Sequence, residues 1–157
     1  MVTLGGVGVA GSVLVLDLAH WARTGRRLDI LALLVSGLLL GTLAAMCGGG
    51  LLAWATARLA GPTNVVGGWV LGAGADQTLT APPEAGMAVG GGVATTLLLA
   101  LTCVVGRCCC AELRLHLVIG AGCGALLGLT AGMHAVAVRT LIPAVNTLGV
   151  HILNALY

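Results

Sequence analysis

Four histidines, six cysteines and five acids are the residues of this chain that could bind a metal, carry a proton or attack a substrate. His116 and His134 lie 18 residues apart, five helical turns, on nearly one helix face and about 27 Å from each other. A bis-histidine haem needs imidazoles from facing helices at one depth. His20 matches His116 in that respect, His134 has no such partner, and His151 lies beyond the far end. Hydrogen-bonded core or interfacial histidines fit all four positions, so haem is not expected and no cofactor is predicted. The cysteines are Cys47, Cys103, Cys108, Cys109, Cys110 and Cys123. They make no pair of C-x-x-C motifs, so no metal site is expected. Cys108, Cys109 and Cys110 stand beside Arg107 at a membrane edge, where they read either as an S-acylation site or as small apolar filler. Among the acids, Asp17 falls inside an apolar stretch, one turn before an arginine-bearing loop, where it is expected to pair with Arg23 or to snorkel. A duplicated rotary proteolipid would need a carboxylate midway along a long helix, and neither long helix has one. No Ser–His–acid set, phosphate loop or paired carboxylate shares a location, so the chain is not read as an enzyme.

The elements that must carry these residues follow from composition. The chain has 157 residues, 59% of them apolar and only 8% charged, where a soluble domain carries roughly 25% charged. Mean hydropathy is +1.09. A soluble monomer and a disordered chain are both excluded. Net charge is +2 with no basic run, which gives nucleic-acid binding no support. Four apolar spans of about the 20 residues that cross a bilayer stand at 2–22, 30–57, 86–106 and 115–138. Their apolar runs are continuous, which predicts helices and not barrel strands. The first span has no basic residue before it and Arg23, Arg26 and Arg27 after it. That is the reverse of a signal peptide, so a retained helix is expected. Arg107 and Arg114 mark a second basic loop, whereas the middle loop, 72–85, carries only Asp76 and Glu84 as charged residues. The positive-inside rule then puts both arginine loops in the cytoplasm and both termini outward.

The second and fourth spans resemble each other. RLDILALLVSGLLLGTLAAM from Arg27 and RLHLVIGAGCGALLGLTAGM from Arg114 share 8 of 20 residues without gaps. A further echo follows in Arg58-x3-Pro62-x-Asn64 and Arg139-x3-Pro143-x2-Asn146. The chain therefore reads as two hairpin repeats, 1–72 and 86–157, joined by a Pro/Gly-rich linker at 73–85. Two helices per repeat would give both copies one orientation. Arg58 and Arg139 fall where spans should exit and can snorkel to headgroups or pair with an acid. Pro62 and Pro143 are expected helix breaks. Beyond Pro143 the chain reads either as an amphipathic helix at the interface or as the fourth helix continuing past a kink.

Glycine, at 26 residues, is the compositional excess. Gly120, Gly124, Gly128 and Gly132 recur every four residues, and Gly37, Gly41, Ala45 and Gly49 do the same on the second span. Each run is a flat strip on which a partner backbone can approach closely. The spacing does not say whether the partner lies in the same chain.

The expected fold is all-α: a polytopic membrane protein of four transmembrane helices in two similar hairpins. The expected function is that of a non-enzymatic membrane subunit, surrounded by lipid, that builds a homo-oligomer or larger assembly through its small-residue faces. Two apolar helices joined by a short basic turn, here residues 21–29 and 106–114, form a plan similar to that of conjugative (type IV secretion) pilins. The resemblance implies a filament subunit. A small channel or transporter, or an accessory subunit of an electron- or proton-moving complex, is the alternative.

Overall fold

The computed structural model describes residues 2–25, 27–47, 50–72, 78–79, 87, 89–108 and 110–156. Among them run six helices: α1 (Leu4–Arg23), α2 (Leu28–Met46), α3 (Gly50–Leu71), α4 (Val89–Cys108), α5 (Ala111–Gly128) and α6 (Ala131–Leu156). A two-residue antiparallel ladder joins β1 (Val2–Thr3) to β2 (Thr78–Leu79) inside the linker. Four segments are long and apolar enough to span a membrane: Leu4–Arg23, Leu28–Met46, Gly91–Cys108 and Val136–Ala155.

Two spans expected to be continuous are each two helices. The stretch 30–57 divides at 47–49, where Cys47 closes α2 by donating its backbone N–H to Ala44 O at 3.3 Å. The run Gly48–Gly50 explains the site of the break, because glycine is the weakest ordinary helix former. The stretch 115–138 divides after Gly128, where both the backbone N–H and the hydroxyl of Thr130 donate to Leu127 O, at 2.9 and 2.6 Å. The breaks expected at Pro62 and Pro143 are absent, since both prolines sit inside continuous helices. Each proline removes one hydrogen bond, and a nearby hydroxyl can serve the disturbed turn. Thr63 Oγ1 donates to Leu59 O and Ala60 O, both at 3.0 Å. The C-terminal stretch is thus the continuation of a helix past proline, and it supplies the fourth candidate span.

The closest packing in the molecule joins α2 to α5, and the two glycine strips meet there. A Cβ added at Gly37 would overlap the backbone of Leu117 and Ala121, and one at Gly41 that of Ala121 and Ala125. In return, Gly120 lies against Leu34 and Leu38, Gly124 against Leu38, and Gly128 against Thr42 and Ala45. Contacting positions rise together along both helices, so α2 and α5 run parallel. Their N-terminal ends, each preceded by an arginine loop, therefore lie at one end of the molecule. The contacts also reciprocate at a constant offset of 83 residues: Gly37 with Leu117 matches Gly120 with Leu34, and Gly41 with Ala121 matches Gly124 with Leu38. Thr42 adds a polar tie, its hydroxyl donating to Leu38 O at 2.8 Å and to Gly124 O at 3.3 Å.

Consecutive helices make few contacts; instead α1 packs on α3, and α4 on α6. At Gly5 and Gly67 the backbones of α1 and α3 touch, and a Cβ on Gly5 would lie 2.7 Å from Gly67 C. Asn64 Oδ1 accepts from Thr3 N at 3.0 Å and Thr3 Oγ1 at 3.1 Å, while Thr3 itself caps α1 by accepting from Gly6 N. Asn146 takes a similar place beside Gly91 near the start of α4, and its Oδ1 is buried with no partner among the described residues. Three core clusters result among the described residues, one of them Met46 of α2 with Ala137 and Ile142 of α6. Ala10 of α1 and Ala60 of α3 pack with Cys123 and Leu126 of α5, whereas Ala94 of α4 and Val145 of α6 pack with Leu43 of α2. Each outer pair is thus covered by the middle helix of the opposite half.

Candidate functional site

The strongest chemical group in the described residues is a buried pair between α1 and α5. Nδ1 of His116 lies 2.8 and 3.0 Å from the two carboxylate oxygens of Asp17, and both residues are buried. With Asp17 ionised, the carboxylate can only accept, which places the proton on Nδ1. The ring of His20, one turn after Asp17, stacks on His116 with centroids 6.4 Å apart and planes at 22°. His20 is exposed, so it stands between the buried pair and the outside of the helix bundle. Deeper along the same seam, Cys123 Sγ donates to Ala10 O at 3.4 Å.

Local structure holds this group at the arginine-loop end. Thr24 terminates α1, its N–H donating to His20 O at 3.0 Å and its hydroxyl reaching the same oxygen. Gly25 takes φ 90°, which turns the chain at little steric cost. Trp21 Nε1 then donates to Arg27 O at 2.7 Å and fastens the loop to the helix. The result is a carboxylate and an imidazole facing each other at the depth where α5 starts its second turn. Such a pair can hold a proton between helices, and it draws α1 onto α5.

Asp17 was expected to find Arg23, and it finds His116 instead. The reason is geometric. Arg23 ends α1 exposed, whereas α5 presents His116 seven residues before Cys123, on the face that meets α1. That face lies beside the glycine strip, which marks one side of α5 as buried but does not name α1 as the partner. Arg58 pairs with no acid among the described residues; its guanidinium lies 5.1 Å from the centre of the Trp54 ring, a cation–π contact along α3. Arg23, Arg27, Arg107, Arg114 and Arg139 are exposed, as are Cys108 and Cys110. Arg26, Gly49 and Cys109 lie outside the described residues, and Gly132 is described only as a backbone position in α6. The structure joins Gly37, Gly41, Gly120, Gly124, Gly128 and Ala45 in one seam within the chain. These strips are therefore not the surface on which a second copy would dock.

Comparison with protein-family models, curated proteins and solved structures returned no match.

Proposed function

We propose that the chain is a non-enzymatic integral-membrane structural subunit, built by duplication of a three-helix unit, that assembles with lipid and with further subunits through its outward faces. One observation carries this reading: seven hydroxyls of the described helices are spent on their own helix backbone. The hydroxyls of Ser12, Thr42, Thr95, Thr96, Thr102, Thr140 and Thr147 each donate to the carbonyl one turn back. The reciprocal seam between α2 and α5 supports duplication. It also sets the register one helical turn away from the best sequence alignment, an offset of 83 where that alignment used 87. A glycine every four residues permits either register. The duplicated unit differs from the expected hairpin, since each half has three helices and the middle helices pair across halves. The pilin plan rests on a two-helix hairpin, which the contacts between α1 and α2 do not favour. The arginine loops at one end are assigned to the cytoplasm by the positive-inside rule.

Negative-stain microscopy and native mass spectrometry of the detergent-purified chain test this. The expected result is a discrete homo-oligomer or a stoichiometric complex with other membrane subunits. A strictly monomeric chain without partners would overturn it. The second reading, a proton-moving carrier or accessory subunit, is favoured by the Asp17–His116 pair, because ionisable groups at membrane depth commonly mark proton pathways. Proton flux into liposomes that is lost in Asp17→Asn would establish that reading in place of the first.

A further inference from the structure

A half-open apolar groove of about 430 Å³ lies between α4 and the α2–α5 seam, with α3 along its side. This is within the roughly 300–1,000 Å³ typical of small-ligand sites. Its walls include Leu40 and Ala44 of α2, Leu59 of α3, Leu99 of α4, and Val118 and Ala121 of α5. The hydroxyl of Thr102, also on the wall, donates to Leu98 O at 2.6 Å and offers the groove little polarity. The groove exists because the molecule is closed on one side only. Against α5, the Asp17–His116 pair and the Cys123–Ala10 contact draw α1 in. On α2, the position 83 residues before His116 is Leu33, and α4 carries no acid, so nothing polar draws α4 onto α2.

The groove ends at a positive rim. Arg107 follows the wall residue Cys103 by one helical turn, and Arg114 precedes Val118 by one turn, so each shares a face with the wall. Both guanidiniums are exposed, on either side of the short α4–α5 turn. The two loops at this end hold five arginines, Arg23, Arg26, Arg27, Arg107 and Arg114, against Asp29 and Glu112. We propose that the groove binds one anionic phospholipid, with an acyl chain along α5 and the phosphate held by Arg107 and Arg114. The wall from Leu117 to Ala125 extends about 12 Å along the helix, which suits one segment of an acyl chain and not a whole helix. This proposal rests on membrane placement and not on the assembly reading.

Gly122 provides the test, because it lines the groove and a Cβ there meets nothing within 4 Å. The detergent-solubilised full chain is titrated with phosphatidylglycerol or phosphatidylcholine and examined by native mass spectrometry and thermal melting. The wild type should retain one phosphatidylglycerol per chain, in preference to phosphatidylcholine. Gly122→Trp should reduce that retention at least tenfold with an unchanged melting temperature. The pair Arg107→Gln and Arg114→Gln should erase the headgroup preference while leaving the fold intact. Wild-type retention in Gly122→Trp, or an undiminished preference in the arginine variant, would overturn the proposal. So would a Gly122→Trp variant that loses subunit association while keeping its lipid, since the groove would then seat a second copy.

Discussion

Asp17 and His116 hold each other in a place where neither could remain alone. A buried polar pair gains little over a well-packed apolar pair, yet losing one partner leaves the other buried and unsatisfied, at a cost of about 1–3 kcal/mol or more. Asp17→Leu or His116→Leu alone should therefore lower the thermal midpoint in detergent by many degrees, whereas the double variant should return close to wild type. Circular dichroism melting checks this, and additive losses in the double variant would contradict a direct pair. The pair was only half legible in the sequence. Asp17 advertised a need for a partner inside an apolar stretch, but a contact across 99 residues has no local signature, and Arg23 was the nearer candidate. Asn64 was visible only as part of an echo, and its role as acceptor for Thr3 depends on α3 folding back to the chain's start.

For the helices, glycine placement separates seam from surface. Gly41 and Gly124 press on opposing backbone, which cannot move aside as a flexible side chain would. Gly41→Leu and Gly124→Leu should each prevent recovery of folded protein. Gly68 lies in α3 with open space around it, so Gly68→Ala should be neutral or stabilise by about 0.5–1 kcal/mol. Detergent-solubilised yield and melting temperature report both, and equal behaviour of the two classes would contradict the seam. The strips themselves were readable as periodicity. The helix boundaries were not, because a continuous apolar run looks the same whether it is one helix or two, such as α2 ending at Met46 and α3 starting at Gly50, or α5 and α6 parted at Thr130. Pro62 and Pro143 misled for the opposite reason: a proline lowers helix stability locally, yet α3 and α6 both run on through it.

At the scale of the whole molecule, the membrane class was carried by composition, and the all-helical architecture with four possible spans agrees with it. The interlocked arrangement was not legible, since small-residue strips mark a close approach without naming the partner. Parallel packing of α2 and α5 puts both arginine loops at one end, and the orientation proposed above turns that end to the cytoplasm. Exposed Cys110 should then react with a membrane-impermeant maleimide in inverted vesicles and not in right-side-out ones. Buried Cys47, whose thiol is pushed up by burial, should stay unlabelled in both. Labelling of Cys110 from the outside would reverse the orientation.

The central claim is that two glycine strips of one chain close on each other in parallel. A Cβ at Gly128 lies 3.2 Å from that of Ala45, close to the separation a disulfide bridges. With the six native cysteines replaced by alanine, Ala45→Cys combined with Gly128→Cys should oxidise to a disulfide within the monomer. On a non-reducing gel it should migrate as one compact chain whose mobility changes on reduction. Dimers linked through these positions, or free thiols after oxidation of the folded protein, would contradict it.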